Sequence, residues 1–556
     1  MRVLAIHEDS NANLALVNEH GVEFAVAEER LARTRFQGGF PERSLAALTH
    51  HTGVRVEDVD AVVVANRYHA YARLPGVKLP TYEHPFLGLS QKAMLVFQDQ
   101  LFRGGAMARA TERLARGLAH HRMRRRDVPL VDHHTAHAWS AYVPSGFAEA
   151  TAVTVDNFGD GYSASVFACR GGTVERLYGS SALHSPGQFY GEVAQVLGFH
   201  PLLAGKVTAL AAFGDASKAY GVVEPLLALA ADEKDFVLPP LAEKRRSGRL
   251  YRALESHRRE DVAAAAQRRL EDVLVPYVLR AVRETGLDRV VLAGGVFGNV
   301  AVNRRIVEEA SVRELYVQPA MTDQGIALGA ALAILSGNGR LAGFRMDHVF
   351  VGPGYSEREI EDALRGAGAS YRRMDDPADE IAELLARGAV VARFEGRLEL
   401  GPRALGNRSI LVGATDPGLP ERLNAALHRA SFMPFAPATL ADEAEALYAG
   451  LAKARGTARF MTVAFSCADR LRQSCPAVVH RDGTARPQVV SEQDNPGFHA
   501  ILAAYRARTG IGTVLNTSFN LHEEPIVCSP GDALRAFATS GIDHLALGPF
   551  RVDRVA

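Results

Sequence analysis

The chain has 556 residues with 63 basic and 63 acidic side chains, so its formal net charge at pH 7 is zero. At roughly 100–200 residues per domain this length predicts more than one folded unit, and the charge balance lacks the basic excess of a protein that binds nucleic acid. Four cysteines without paired spacing argue against a disulfide framework, and the lack of a long apolar run or a signal-like start predicts a soluble, cytoplasmic protein.

Short apolar runs alternate with helix-like segments along the first part of the chain, which predicts an α/β architecture. Phe102–Arg126 and Gly325–Leu335 have helical composition, whereas Leu238–Arg259, with prolines followed by mixed charge, is typical of an exposed connection. The predicted strands are Met1–Ile6, Asn13–Val17, Glu23–Ala27, Asp60–Ala65, Ala152–Val155, Val290–Ala293 and Leu315–Val317.

A change in composition near residues 345–356, which contain two glycines and a proline, marks a predicted domain boundary. We therefore divide the chain into residues 1–345 and 346–556. Beyond the boundary, Ala389–Phe394, Ser409–Val412 and Gly512–Leu515 predict strands of a second α/β unit.

His133 and His137, in the segment VDHHTAHAWSAY, are four residues apart. On a helix they share one face and can bind one cation, and neutral imidazole suits iron or zinc. The alternative is a histidine-rich helix start held by capping or packing. His134 points elsewhere on such a helix and is a poorer ligand.

Two further segments have polar residues next to glycines. Asp156 lies at a predicted strand end in VDNFGDGY, a segment that resembles a turn that approaches a phosphate but also fits an ordinary hairpin. Lys206 follows Gly205 at the start of an apolar helix, where it offers a cation to a phosphate or is a solvated surface lysine.

Glycine-rich segments follow the strands near residues 293 and 317. Asn299, in AGGVFGNVAVN, suits a nucleotide site at a junction between strand and helix. Asp323, in TDQGIALGAA, either completes a metal site with His133 and His137 or caps a helix.

In the second unit, FEGRLELGPRALGNRSIL interleaves arginines, including Arg403 and Arg408, with glycines. Guanidinium groups on such a loop suit a phosphate or a carboxylate, although a solvated surface loop has the same composition. Arg486 in HRDGTARPQ and Asn516 in LNTSFN add a further cation and a hydrogen-bonding side chain.

Taken together and in this order, the motifs resemble the O-carbamoyltransferases of the nodulation-protein and antibiotic-tailoring type. The resemblance extends over nearly the whole chain. It implies an actin-like, sugar-kinase-like ATPase fold, similar to threonylcarbamoyl-transfer proteins, for residues 1–345. For residues 346–556 it implies a YrdC-like α/β domain that forms carbamoyl-adenylate. The motifs are HHxxHA, VDxxGDG, GKVxxLAAFG, GGVxxN, TDxGxALGAA, ELGPRALGNRSIL, HRDGTARPQ, NTSFN and EPIV.

The implied activity is ATP-dependent transfer of the carbamoyl group of carbamoyl phosphate to a hydroxyl of a small natural product, such as a glycoside or macrolide. The alternatives are threonylcarbamoyl-type transfer to tRNA and a non-catalytic actin-like nucleotide-binding module. The neutral charge disfavours tRNA, so we expect neither a nucleic-acid nor a membrane partner. The expected cofactor is a divalent metal, iron in preference to zinc, with Mg²⁺ accompanying ATP. The sequence does not indicate an oligomeric state.

The resemblance also implies roles for individual residues. His7 is the expected general base, with Asp9 second, and His137 is both catalytic and a metal ligand. Arg35 follows the EER sequence in place of the family's lysine, and Met433 replaces an arginine of the phosphate pocket. The implied metal ligands are His133, His137, Asp156 and Asp323. The implied nucleotide- and phosphate-binding residues are Arg35, Asp156, Gly187, Lys206, Asn299, Arg403, Arg408, Arg429, Arg486 and Asn516.

An insert at Tyr68–Leu101 is rich in aromatic residues and prolines. Aromatic faces suit sugars and macrocycles, so we predict that this insert borders the acceptor pocket. A surface loop packed on the core is an equally good interpretation.

Overall fold

The structure is a computed structural model that describes residues 1–66, 116–117, 128–239, 249–341, 344 and 346–554. The insert Tyr68–Leu101 and the predicted helix Phe102–Arg126, apart from residues 116–117, lie outside this part of the chain. Among the helices in the described ranges, none combines the length and the apolar character needed to cross a membrane.

The strands of the described chain form two five-stranded sheets, one eight-stranded sheet and two small pairs. The strands are β1 (Arg2–His7), β2 (Asn13–Asn18), β3 (Val22–Ala27), β4 (Ala61–Ala65), β5 (Leu130–Val131), β6 (Glu149–Gly159), β7 (Tyr162–Arg170), β8 (Thr173–Ser181), β9 (Ala228–Leu229), β10 (Phe236–Val237), β11 (Arg289–Ala293), β12 (Glu314–Val317), β13 (Arg372–Arg373), β14 (Val391–Phe394), β15 (Arg408–Gly413), β16 (Ala436–Leu440), β17 (Phe465–Ser466), β18 (Thr484–Ala485), β19 (Gln488–Val490), β20 (Thr513–Ser518), β21 (His544–Leu547) and β22 (Phe550–Asp553).

Helices connect and cover these sheets. They are α1 (Glu28–Ala32), α2 (Glu42–Thr52), α3 (His133–Ser145), α4 (Pro186–Val196), α5 (Gly205–Ala211), α6 (Tyr220–Val223), α7 (Arg249–Leu254), α8 (Arg259–Thr285), α9 (Val300–Glu308), α10 (Ile326–Gly337), α11 (Glu357–Gly366), α12 (Pro377–Ala386), α13 (Leu419–Ala426), α14 (Ala441–Leu447), α15 (Arg455–Ala458), α16 (Asp469–Ser474), α17 (Pro496–Thr509) and α18 (Pro530–Thr539). Short 3-10 turns include Gly295–Gly298 and Asp323–Gly325.

The two five-stranded sheets have the same topology. Their strand orders are β3-β2-β1-β4-β5 and β8-β7-β6-β11-β12. In each sheet the first three strands form an antiparallel meander, and the last two add in parallel to its first strand. The first half of the protein is therefore a structural duplication, although we find no sequence repeat.

Two helices fill the space between these sheets. Helix α10 follows the second sheet in the chain but packs on the first, and α3 follows the first sheet but packs on the second. The helices contact each other closely at Gly329, where an added Cβ atom would lie 1.7 Å from the carbonyl oxygen of Ala136. Strand β1 is buried on both faces: Val3 and Ala5 face this middle layer, and Leu4 and Ile6 face the opposite core.

The eight-stranded sheet, in the order β13-β22-β21-β14-β15-β20-β16-β19, is mixed parallel and antiparallel and follows the boundary predicted near residue 345. The α/β class is thus confirmed, and the position of the boundary stays a prediction. Within the exposed connection predicted at Leu238–Arg259, residues 249–254 form α7; Arg252 is exposed, as predicted, whereas Leu254 is buried in the core.

Candidate active site

Helix α3 begins at the histidine-rich segment. Asp132 is its N-cap residue, and the Asp132 side chain accepts a hydrogen bond from the backbone N–H of Thr135 at 2.9 Å. Because the helix starts at His133, the rings of His133 and His137 lie one turn apart, with centroids separated by 4.7 Å. The two histidines therefore share one face of a helix, as their four-residue spacing in the sequence predicts.

Four side chains from distant parts of the chain meet beside α3. The ligand atoms of His133, His137, Asp156 and Asp323 all lie within 4.8 Å of one another. The His137 Nε2 atom is 3.2 Å from Asp156 Oδ2 and 3.6 Å from Asp323 Oδ1. Around a cation with ligand bonds of about 2.0–2.2 Å, tetrahedral neighbours are about 3.3–3.6 Å apart. The cluster thus has the spacing of a divalent-cation site.

The hydrogen bonding of this cluster also fits a cation. The Nε2 atoms of His133 and His137, and Oδ1 of Asp323, are buried and make no well-formed hydrogen bond in the described residues, although both Nε2 atoms face carboxylate oxygens of the cluster at 3.2 to 3.9 Å. Buried polar atoms left unpaired are costly, and native proteins satisfy most of them. By contrast, the ring nitrogens of His134 contact the Thr154 hydroxyl and the Tyr162 carbonyl, at 2.8 and 3.1 Å.

Asp156 reaches the cluster because its strand is irregular. The pairing of β6 with β7 shifts register between Val155 and Gly159, and such a bulge re-aims side chains. The strands are then joined by Asp160–Gly161, with φ values of 47° and 87°, so the segment does form the ordinary hairpin turn. Asp156 Oδ2 also accepts a hydrogen bond from the Gly295 N–H at 2.9 Å.

Asp323 is not a capping residue. Thr322 caps the short turn Asp323–Gly325, because the Thr322 hydroxyl accepts a hydrogen bond from the Gln324 N–H. The Asp323 side chain is thereby available to the cluster. Its backbone carbonyl accepts a hydrogen bond from Asn13 Nδ2 at 2.8 Å, which ties this loop to the first sheet.

Asp160 and Gly159 are residues whose roles the sequence did not predict. Asp160 Oδ2 accepts a hydrogen bond from the His133 backbone N–H at 2.7 Å, where a carboxylate also favours the start of a helix. An added Cβ atom at Gly159 would lie 2.1 Å from His133 Cδ2, so the His133 ring packs on this glycine. The GDG sequence was the available signal, but on its own it indicates only a turn.

We expect Gly159→Ala to displace His133. The methyl group cannot fit beside the ring, and overpacking of this kind costs about 1–3 kcal/mol of unfolding free energy. Cobalt binding, followed by the visible absorption of Co²⁺, should weaken at least about tenfold. Gly366→Ala is the matched control, because an added Cβ atom there meets nothing within 4 Å. Equal cobalt affinities for the two variants would contradict the assigned contact.

Charge also distinguishes this cluster. Although burial opposes it, contact with His133 and His137 holds the pKa of Asp156 well below its usual range. Against the effect of burial, Asp156 and Asp323 raise the pKa of His133 to about 9. The two carboxylates therefore create a strong local preference for positive charge.

His7 lies at the end of β1, fully buried, with its ring centroid 6.5 Å from that of His133. Burial lowers the pKa of His7, while the charges of Asp323 and Asp9 oppose this effect. A lowered pKa favours the neutral imidazole, which can accept a proton. Asp9 is half-buried in the loop that follows β1.

The turn Gly295–Gly298 runs from this cluster to a second site. Gly295 donates its N–H to Asp156, and three residues later the Gly298 carbonyl oxygen accepts a hydrogen bond from Arg403 Nη2 at 3.4 Å. Because a residue spans at most about 3.6 Å, the two contacts lie within roughly 11 Å along the backbone. The cluster is therefore adjacent to the loop of residues 395–407, between β14 and β15, which carries Arg403 and is called the arginine loop below.

Arg403 and Arg486 form an uncompensated pair of cations. Burial lowers the pKa of Arg403 to about 10, and burial together with the charge of Arg403 lowers the pKa of Arg486. In the described part of the chain, neither guanidinium has a carboxylate within ion-pairing distance. Two half-buried cations side by side favour binding of an anion between them.

Arg35, Lys206 and Arg429 meet around His522. Burial lowers the pKa of His522, the charge of Glu523 opposes this effect, and the charges of these three cations lower the pKa further. Arg429 donates hydrogen bonds to Thr517 and to Ser518 of the LNTSFN segment, at 2.7 and 3.0 Å. The structure thus brings together cations that are far apart in sequence.

Asn299, Asn516 and Gly187, which were also predicted to bind nucleotide or phosphate, make contacts within the protein near the two sites. Asn299 caps α9 and donates a hydrogen bond to Gln267 at 2.8 Å, and Asn516 donates to Gln488 at 2.8 Å. Gly187 lets α4 approach the backbone beside Asp156, because an added Cβ atom would lie 3.0 Å from the Asp156 carbonyl oxygen.

Arg408 differs from Arg403 and Arg486 in the contacts that its guanidinium group makes. It is fully buried, with its guanidinium 3.6 Å from the centroid of the Phe394 ring. It donates hydrogen bonds to the backbone carbonyls of Glu395 and Gly396 at 2.6 and 3.0 Å. These contacts indicate that Arg408 stabilises the loop rather than facing a ligand.

Comparison with known families decides the assignment. Residues 3–332 match the family model described as the carbamoyltransferase N-terminus, and residues 382–554 match the carbamoyltransferase C-terminus. The chain belongs to the carbamoyltransferase family. The resemblance read from its motifs is confirmed, and the protein is an enzyme of the carbamoyltransferase class.

Relatives of this carbamoyltransferase include nodulation proteins and a tailoring enzyme. It is 33% identical over 558 residues to nodulation protein NolNO of Sinorhizobium fredii, covering 97% of this chain and 78% of the relative. It is 28% identical over 353 residues to the 3'-hydroxymethylcephem-O-carbamoyltransferase of Streptomyces clavuligerus, covering 64% and 65%. Similarity to the crystal structure of T. kodakarensis HypF, with 14% identity, a TM-score of 0.36 and coverage of 62% and 49%, is too low to assign a fold.

Proposed function

We propose that this carbamoyltransferase uses ATP to move the carbamoyl group of carbamoyl phosphate, through carbamoyl-adenylate, to a hydroxyl of a small natural product. The duplicated sheet topology supports an actin-like ATPase fold for the first domain. For residues 346–556 we propose a YrdC-like domain, in which the carbamoyl-adenylate forms. The named activity of the Streptomyces relative supports an oxygen acceptor.

The observation that carries this proposal is the turn Gly295–Gly298. It contacts Asp156 of the proposed cation site at one end and Arg403 of the proposed anion site at the other. A site that activates a carbamoyl group and a site that transfers it must be close, because reactive intermediates are otherwise lost to water.

Activation is proposed to take place at the arginine pair. Arg403 and Arg486 bind the phosphate group of carbamoyl phosphate by charge-assisted hydrogen bonds. Water cleaves the bond between the carbamoyl group and the phosphate, giving carbamate and inorganic phosphate. A carbamate oxygen then attacks the α-phosphorus of ATP, forming carbamoyl-adenylate and releasing pyrophosphate. Lys206, Arg35 and Arg429 lie close together, where they would balance the charge of the nucleotide phosphates.

Transfer is proposed to take place at the cluster. His133, His137, Asp156 and Asp323 would hold a divalent cation, and this set of imidazoles and carboxylates suits iron or zinc. Such a cation supplies Lewis acidity toward a carbonyl or phosphate oxygen. His7, neutral and beside the cluster, takes the proton of the acceptor hydroxyl as its oxygen attacks the carbamoyl carbon. Asp9 is the second choice for this role. The products are the O-carbamoyl compound and AMP.

The first test is pyrophosphate release. We expect the purified protein to release pyrophosphate from ATP only when carbamoyl phosphate is present, because carbamoyl-adenylate cannot form without carbamate. A coupled pyrophosphate assay, with inorganic phosphate in place of carbamoyl phosphate as the control, checks this. Binding of ATP without carbamoyl-dependent pyrophosphate release would instead indicate a non-catalytic actin-like module.

The acceptor is identified separately. Hydroxylated natural products such as glycosides and macrolides, incubated with both co-substrates, are examined by mass spectrometry for the added carbamoyl mass. The zero net charge gives no support for a tRNA acceptor, and carbamoylation of tRNA in the same assay would overturn the small-molecule proposal.

A further inference from the structure

Glu29 and Arg30, in the short helix α1, are buried charged residues that the proposed reaction does not use. Their exposed fractions are 6% and 4%. Burial of charged groups is unfavourable unless they form specific hydrogen bonds. Both residues form such bonds, and their partners belong to loops that carry the two halves of the proposed site.

Glu29 holds the loops that carry Asp323 and Arg35. Glu29 Oε1 accepts a hydrogen bond from Gln324 Nε2 at 2.9 Å, and Gln324 directly follows Asp323. Glu29 Oε2 accepts a hydrogen bond from the backbone N–H of Phe36 at 3.0 Å. Phe36 has a φ of 56°, an unusual conformation for a phenylalanine, so this loop depends on such a contact.

Arg30 holds the loop that carries Arg403. Arg30 Nη2 donates a hydrogen bond to the carbonyl oxygen of Gly401 at 2.8 Å, across 371 residues of sequence. Gly401 has a φ of 103°, and an added Cβ atom would lie 2.6 Å from the Pro319 carbonyl oxygen, so the loop is tightly fitted here.

Two carboxylates lie near Arg30: Glu29 in the same helix and Glu399 in the C-terminal unit. Arg30 Nη1 lies 3.7 Å from Glu29 Oε1. In the C-terminal unit, Glu399 Oε1 accepts hydrogen bonds from the backbone N–H groups of Leu405 and Asn407, at 2.8 and 3.0 Å. Burial lowers the pKa of Arg30, and the charges of Glu29 and Glu399 oppose this effect. The arginine loop is thus held from within by Glu399 and from the first domain by Arg30.

We infer that Glu29 and Arg30 are a pair of positioning residues that fix Asp323 in the cation cluster and Arg403 in the anion site from a single helical turn. This inference rests on the proposed function. Its physical basis is that short, buried, charge-assisted hydrogen bonds leave little freedom to the loops they hold. Two sites on different domains thereby keep a constant separation, which transfer of an intermediate requires.

Binding measurements should distinguish the roles of the two residues, because Arg30 supports the anion site and Glu29 supports the cation cluster. Arg30→Lys keeps the positive charge beside Glu29 but not the planar group that reaches Gly401. We expect it to raise the dissociation constant for carbamoyl phosphate about five- to tenfold, measured by calorimetry on the full-length protein. Affinity for Co²⁺ and its visible spectrum should stay unchanged. Arg30→Met should weaken carbamoyl phosphate binding at least as much.

Glu29→Gln should have the complementary effect. The amide group turns one acceptor into a donor, which cannot pair with both Gln324 and Phe36. We expect Co²⁺ affinity to fall about 10–100-fold, as for other residues that support metal ligands, with a shift of the Co²⁺ absorption bands.

Lys453→Met is the matched control. Lys453 also links the two units, because its Nζ donates hydrogen bonds to the carbonyl oxygens of Glu309 and Val307, at 2.9 and 3.3 Å. Among the described residues it contacts neither α1 nor the arginine loop, so its loss should leave both affinities within twofold.

Two results would overturn the inference alone. One is wild-type affinity for carbamoyl phosphate in Arg30→Lys. The other is an equal loss of affinity in Lys453→Met, which would show a general effect of contacts between the two units. A wild-type protein that binds neither carbamoyl phosphate nor Co²⁺ would overturn the inference together with the proposed function.

Discussion

Replacing His137 by alanine should abolish carbamoyl transfer while leaving pyrophosphate release intact. Among the Nε2 atoms of the two histidines, that of His137 lies closest to a carboxylate, 3.2 Å from Asp156 Oδ2, and the His137 side chain is fully buried. Loss of residues that merely support a metal ligand costs about 10–100-fold in metal affinity, so loss of a ligand should cost more. Cation content by elemental analysis and carbamoylated product by mass spectrometry measure the two effects.

His134→Gln is the control on the same helix. Its ring lies outside the cluster and contacts Thr154 and Tyr162, so the variant should lose stability but keep its cation. If His137→Ala retained full cation content, or lost transfer and pyrophosphate release to the same degree, the separation of the two half-sites would be contradicted.

Replacing Arg486 by methionine should weaken catalysis and strengthen the fold. A hydrogen bond to a charged group contributes about 1.5–3 kcal/mol, so KM for carbamoyl phosphate should rise about 10–100-fold. In the unliganded protein, burial and the neighbouring Arg403 disfavour the charged form of Arg486. Its removal should therefore raise the free energy of unfolding, measured by urea denaturation without ligand.

Arg408→Met should behave in the opposite way. Its guanidinium is buried among backbone carbonyls and stacks on Phe394, so the variant should lose stability. Carbamoyl phosphate binding per folded molecule should change little. A stabilised Arg408→Met, or a destabilised Arg486→Met with unchanged KM, would reverse the roles assigned to these two arginines.

Local sequence patterns were sufficient for the parts of the site that form within one element. The i, i+4 spacing of His133 and His137 predicted a shared helix face because the helical repeat is fixed by backbone geometry. Apolar runs likewise predicted strands at the positions of β1–β4, β6, β11 and β12, whereas β5, β7 and β8 of the same sheets were not predicted. These features depend only on residues close in sequence.

Contacts between distant segments could not be predicted in this way. The bond between Arg30 and Gly401 joins residues 371 positions apart, and the EER sequence alone gives no sign of it. Likewise, an arginine among glycines looks the same whether it faces an anion, as we propose for Arg403, or is buried under its own loop, as Arg408 is. The duplicated sheets leave no sequence repeat because many apolar residues fill equivalent positions equally well.

The backbone contact between Gly329 and Ala136 has a consequence for how the cluster is assembled. Ala136 adjoins His137, and α10 begins directly after the turn that carries Asp323. The gap between these donor atoms is therefore dictated by interior helix packing and not by a mobile surface segment. The folded chain positions the His137 and Asp323 donor atoms even without a cation. Chelating agents should therefore leave the tertiary structure intact, unlike a zinc finger, which unfolds when its metal ion is removed.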